Sequence, residues 1–117
     1  MNFSFDHAAQ VVPDIDEAVA WYQNLLPNTR VIHQDATWAF IEAGGVKIAF
    51  VVKDQHPGHL AWRVDDQTLE RLAREFGREI KPHRDRTRSF YLEAPGGQAI
   101  EIIAYPPDYG QKAAATE

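Results

Sequence analysis

His7 and His59 lie 52 residues apart, and the same interval separates Ala49 from Glu101. Two imidazoles and a carboxylate are a donor set that divalent ions such as Mn, Fe, Zn, Ni and Co accept while leaving positions open for a substrate. Around His7 the chain reads Phe5-Asp6-His7-Ala8-Ala9, and around His59 it reads Gly58-His59-Leu60-Ala61. Each stretch is followed by a helical pattern, from Ile15 in the first case and from Gln67 in the second. The halves also close alike. Phe40-Ile41-Glu42-Ala43-Gly44-Gly45 is answered by Tyr91-Leu92-Glu93-Ala94-Pro95-Gly96-Gly97, with Pro95 as the extra residue. Self-similarity at a fixed interval is the signature of a duplicated unit. His7, His59 and Glu101 then occupy matching places in two copies, and a pseudo-twofold axis would bring them to one point as the ligands of one divalent metal. A lone histidine on a strand is ordinarily a hydrogen-bonded structural residue, and a lone glutamate there a solvated one. The match across the repeat is what favours a metal centre.

The elements that must aim these side chains follow from periodicity and breakers. Residues 3–12 alternate as a strand, which puts Phe3, Phe5, His7, Ala9 and Val11 on one face. Pro13-Asp14 ends it, and Asp14 or Asp16 caps a helix over about 15–26 with Ile15, Ala18, Val19, Tyr22, Leu25 and Leu26 at helical spacing. Strands are expected at about 29–35, 38–43 and 46–53, with turns at Ala36-Thr37 and Gly44-Gly45. The second half repeats the plan. A strand near 58–64 precedes a helix near 67–76 that is closed by Gly77, and strands follow near 79–84, 88–93 and 98–105. The fold class is therefore α+β, two βαβββ modules with cupped mixed sheets in a single domain over 1–117. Module one covers about 1–53 and module two about 57–105. A loop at about 53–57 joins them, and a loose tail covers 106–117. Trp21 and Trp62 are expected to fill the core. His33 and His56 are expected at the surface, and Trp38 is a candidate lining of the cup.

Composition narrows the functions. Lys and Arg number 12 against 17 Asp and Glu, a formal charge of −5. That balance argues against nucleic acid as the main partner, because phosphate binding needs a concentrated basic surface. There is no cysteine, so disulfides, thiolate metal sites and cysteine nucleophiles are excluded. The N-terminal residues lack a signal-peptide pattern and no apolar run could span a bilayer, so a cytoplasmic location with no membrane partner is expected.

Gly58-His59-x-Ala61-x-x-Val64, followed by Phe90-Tyr91-Leu92-x-x-Pro95-x-Gly97-x-x-Ile100-Glu101, resembles the second half of vicinal-oxygen-chelate proteins. That superfamily includes glyoxalase I, fosfomycin-resistance enzymes, extradiol dioxygenases, methylmalonyl-CoA epimerase and bleomycin-resistance proteins. The stretch from His7 to Leu26 resembles its first half, and the likeness covers about residues 3–105. The resemblance implies a divalent metal acting as a Lewis acid on a small substrate that chelates through adjacent oxygens. Where glyoxalase I places a Glu and the epimerase a Gln, this chain has Ala49, which can neither ligate nor carry a proton. The three-ligand set is closest to fosfomycin-resistance-type transferases or extradiol dioxygenases. A glyoxalase I-like lyase with a reduced ligand set stays open, as does a non-catalytic, ligand-sequestering protein of the bleomycin-resistance kind. The stretch from Lys81 to Tyr91 is basic in an acidic chain. Its Lys81, Arg84, Ser89 and Tyr91 match the places where the fosfomycin enzymes hold a phosphonate, which implies an anionic small-molecule substrate. A solvated hairpin accounts for the same charges. His83 of this loop could approach the substrate.

The last expectation concerns assembly. A single module leaves sheet edges exposed, and the connection at about 53–57 is short. A homodimer is therefore expected, with metal sites shared between chains: His7 from one, His59 and Glu101 from the other.

Overall fold

The computed structural model describes residues 2–52, 57–107 and 109. Most of the expected loop at 53–57, including His56, and most of the expected tail lie outside these residues. The elements run β1 (Phe3–Val11), α1 (Ile15–Leu25), β2 (Arg30–Gln34), β3 (Trp38–Ala43), β4 (Val46–Val51), β5 (His59–Val64), α2 (Asp66–Phe76), β6 (Lys81–Pro82), β7 (Arg88–Glu93) and β8 (Ala99–Ala104). This is βαβββ written twice, as the repeat predicts.

Both helices start where an aspartate can take a free backbone N–H. Asp14 accepts from the Glu17 amide at 2.8 Å and Asp65 from the Thr68 amide at 2.7 Å. Gly77 closes α2 in the left-handed region, φ 64°, a conformation that costs a side-chain-bearing residue far more than glycine. Each helix then lays its apolar stripe on the sheet. Ile15 and Val19 meet Ala39, Ile41 and Phe50, while Leu69 and Ala73 meet Val64, Phe90 and Ala104. Alternation makes these strand residues one face of the sheet, so α1 and α2 both cover that face and neither covers the opposite one.

The eight strands form one mixed sheet in the order β2-β3-β4-β1-β5-β8-β7-β6. β1 pairs parallel with β4, β5 pairs parallel with β8, and the two modules join through the antiparallel pair β1–β5. The register preserves the repeat. Ala9 stands beside Ala49 as Ala61 stands beside Glu101, and Phe40 stands opposite Ala49 as Tyr91 stands opposite Glu101.

Four expectations are corrected. In β1 the register slips between Phe5 and His7, so Phe5 pairs with Trp62 and His7 with Ala61, and Asp6 is the extra residue of a β-bulge. Phe3 and Phe5 therefore sit with Trp62 on the helix side, edge-on at 6.0 and 5.3 Å, and not beside His7. Trp21 does not fill the core. It is 59% exposed, because the buried stripe runs through Ile15, Ala18, Val19 and Tyr22, about 100° around the helix from it. Leu25 and Leu26, expected on the packed face, are also exposed. Finally, the strand expected at 79–84 is only Lys81–Pro82: Pro82 has no N–H for the ladder, and a turn begins at His83.

Candidate metal centre

Residues directly opposite one another in a ladder project to the same face. Ala9 lies opposite His59, His7 opposite Ala61, and Ala61 beside Glu101, so all three predicted ligands project from the helix-free face. Their donor atoms converge. His7 Nε2 lies 3.3 Å from His59 Nε2, and Glu101 Oε1 lies 3.3 Å from His59 Nε2 and 3.6 Å from His7 Nε2. Donor atoms 3.3–3.6 Å apart are spaced as the ligands of one divalent ion would be. Among the described residues this is the one group of three His, Asp or Glu side chains whose donor atoms meet in this way. His59 and Glu101 are buried and His7 is half-buried.

The remaining polar atoms of the ligands are held from behind. His59 Nδ1 lies 2.9 Å from the Pro57 carbonyl, which can only accept, so the ring carries its proton on Nδ1 and turns Nε2 to the centre. His7 Nδ1 lies 2.6 Å from Asp6 Oδ2, and the same oxygen accepts from the Tyr105 hydroxyl at 2.9 Å. A carboxylate behind an imidazole fixes its orientation, the usual support of a metal-binding histidine. Glu101 accepts from the Ser89 hydroxyl and interacts with Tyr91. The repeat extends to the walls: Tyr91 stands edge-on to His59 at 5.2 Å and Phe40 edge-on to His7 at 5.9 Å.

These contacts set the charges. Burial alone would lower the His59 pKa, but the bond and charge of Glu101 and the Pro57 carbonyl outweigh it and raise the value. Burial pushes Glu101 up, yet hydrogen bonds from His59 and Ser89 and the charges of both histidines hold it below the ordinary carboxylate value. Asp6 is likewise lowered against its burial, by bonds from His7 and Tyr105 and by the charges of His7 and Lys47. Burial and the Glu101 charge raise Tyr91, so its phenol keeps its proton.

Of the residues expected to orient a substrate, Ser89 is buried at 1% exposure and Tyr91 adjoins Glu101 and His59. Lys81 pairs with Ser89 and so belongs to the same face, exposed at the rim. Arg84 lies on the exposed turn that follows. His33 is at the surface on edge strand β2 as expected, 2.8 Å from Asp35, and Trp38 stacks on it at 4.3 Å. Where sharing of the donors between two chains was expected, β1 of the single chain pairs with its own β5, and that chain brings all three donors together.

Sequence reasoning missed Asp6 and Tyr105. Regular alternation would turn Asp6 away from His7, and the bulge is what reverses it. A charged residue inside the run Phe3-Ser4-Phe5-Asp6-His7 was the available sign. Tyr105, 99 residues away, gave none.

No family model and no curated protein matches the chain. Among solved structures, methylmalonyl-CoA epimerase from Mycobacterium tuberculosis matches with a TM-score of 0.67 at 22% identity, over 95% of this chain and 91% of that one. A glyoxalase/bleomycin resistance protein/dioxygenase superfamily member from Vibrio splendidus matches at 0.65 and 14% identity, over 88% and 99% of the two chains. A homoprotocatechuate 2,3-dioxygenase variant from Brevibacterium fuscum matches at 0.65 and 18%, over 90% of this chain but 36% of that longer one. Among the described residues no helix is long and apolar enough to cross a membrane. With its duplicated βαβββ units joined into one mixed sheet, the chain has the glyoxalase/bleomycin-resistance fold of the vicinal-oxygen-chelate proteins.

Proposed function

We propose that the chain is a metal-dependent enzyme in which His7, His59 and Glu101 hold one divalent ion and a small substrate chelates it through adjacent oxygens. The observation that carries this is the convergence of three donor atoms within 3.6 Å, each imidazole already turned by a bond to its Nδ1. Two imidazoles and a carboxylate aimed at one point and held from behind form a preset donor set that a divalent ion would complete. When bound, the ion supplies Lewis acidity to a substrate oxygen that gains negative charge in the transition state.

The chain's own residues narrow the chemistry. Epimerisation needs proton carriers on the reacting carbon. Ala49, the residue that matches Glu101 in the repeat, offers none, and Phe40 opposite it is apolar. Transfer or ring-cleavage chemistry of the fosfomycin-resistance or extradiol kind asks less of that position. Tyr91, its proton donated in a hydrogen bond to Glu101, stands beside His59 as a wall against which a substrate would pack. Lys81 and Arg84 on the rim would attract an anionic group, and Lys47 adds positive charge on the opposite side of the cup.

Metal titration tests the assignment. Metal-depleted protein given Mn, Ni or Zn should take up about one ion per chain with high affinity. His59→Ala should weaken uptake severely and His33→Ala should leave it unchanged. Equal losses from the two substitutions would reject this ligand set.

A further inference from the structure

His83 sits on the exposed turn of the basic hairpin, yet its Nε2 lies 2.7 Å from the hydroxyl of Ser89, one of the most deeply buried polar groups in the chain. Ser89 in turn bonds the Glu101 carboxylate. The directions of these bonds follow from the donor inventory. An ionised carboxylate only accepts, and a serine hydroxyl has a single proton, so that proton goes to Glu101. The lone pairs of Ser89 then take the N–H of His83, giving a chain from imidazole to hydroxyl to carboxylate. The turn that presents His83 is closed by its own bonds. The His83 amide donates to the Thr87 carbonyl at 2.9 Å, the Arg86 amide donates to the His83 carbonyl at 3.0 Å, and the Thr87 hydroxyl donates to Asp85 at 2.6 Å. Arg86 adopts φ 70°, a left-handed conformation that is unfavourable for arginine, to make this shape.

We infer that His83 is a positioning residue of the metal centre, acting through Ser89 on Glu101, so that the hairpin and the ligand set are coupled. This inference rests on the metal reading above. With Nε2 of His83 in place, the Ser89 hydroxyl has one satisfied orientation and holds Glu101 in a fixed rotamer toward the histidines. Without it, the buried hydroxyl loses the partner that directs its proton. His83 contacts Ser89 and not the three donor side chains, so it acts on how well Glu101 is aimed.

The full-length chain, stripped of metal and titrated with Zn or Mn, tests this. Ser89→Ala and His83→Ala should each weaken binding about tenfold, the lower end of what support behind a metal ligand contributes. His83→Gln, whose amide can place an N–H near the same point, should recover most of the loss, and His83→Met, of similar length without a donor, should not. Because the path is serial, His83→Ala should add nothing in a Ser89→Ala background. Thermal unfolding of the metal-free His83 variants should stay near wild type, since that residue is on an exposed turn. If the wild type binds metal while His83→Ala binds equally well, or if the two losses add in full, the inference is overturned and the metal reading stands. A wild-type chain that takes up no metal overturns both.

Discussion

On the proposed ligand set, metal and proton would compete for the same lone pair at His59, with opposite effects on stability as pH rises. The His59 pKa is raised above its ordinary 6.5 and that of Glu101 is lowered from its ordinary 4.5, after burial has opposed both shifts. In the metal-free chain the pair therefore stabilises the fold within a window. The Glu101 part is present above the ordinary carboxylate value and is lost as pH falls through the lowered one. The His59 part is complete below the ordinary imidazole value and is lost as pH rises through the raised one. A bound dication needs His59 neutral, so its stabilisation grows over that same upper interval. With a chelator present, the contribution of this pair to the unfolding temperature should fall as pH rises above the ordinary imidazole value, and with saturating Zn it should rise. In His59→Ala the divergence between the two curves should vanish. Parallel curves in the unsubstituted chain would mean that the metal does not bind through this imidazole.

At the scale of elements, the two faces of the sheet have separate duties. Both helices cover one face, and the ligands project from the other. Damage to a helix start should therefore weaken the fold and spare the centre. Asp65→Ala removes the acceptor of the Thr68 amide at the head of α2 and should cost about 1 kcal/mol. It should be read as a lower urea midpoint with an unchanged slope. Metal affinity of the folded variant should match wild type, and a parallel loss would show that α2 helps aim the ligands. The features that prescribe these elements were mostly legible because they are local. Asp14, Asp65 and Gly77 mark helix ends through their own bonding and dihedral preferences. Gly44-Gly45 and Gly96-Gly97 mark turns that the backbone takes at positive φ. The convergence of His7, His59 and Glu101 was legible for a different reason: duplication repeats a pattern that a single strand could not have distinguished from a structural histidine. What was not legible depends on register and distance. The bulge at Asp6 arises from how β1 pairs with β5, and no alternation within β1 announces it. The Ser89–His83 bond needs the hairpin to close first, and the Tyr105–Asp6 bond joins opposite ends of the described chain.

The whole molecule turns on the β1–β5 pair, where the two modules meet about a pseudo-twofold axis. His7 faces Ala61 and Ala9 faces His59 across it, each pair the image of the other. Exposed edges and a short connection suggested that a second chain would supply half of each centre. The intramolecular pair removes that need, because the strand a partner would have offered is already filled by the chain's own β5. An assembly of two chains, if one forms, would place a complete centre in each. Mixing mutants separates this from exchange of modules. His7→Ala and Glu101→Ala, each defective in metal uptake alone, are unfolded together, refolded as an equimolar mixture and titrated. With centres confined to one chain, every centre carries one lesion and the mixture should bind no better than its components. Were modules exchanged between chains, each mixed dimer would gather both lesions in one centre and leave the other intact, restoring about half of the wild-type capacity in that species. Tagging one variant and isolating mixed assemblies keeps a null result from reflecting a failure to associate. If no mixed assembly forms, size measurement of wild type with and without metal should show one chain binding one ion by itself. Metal uptake found only in a dimer whose mixed form recovers capacity would place the exchange back in the molecule and assign β1 to a partner's β5.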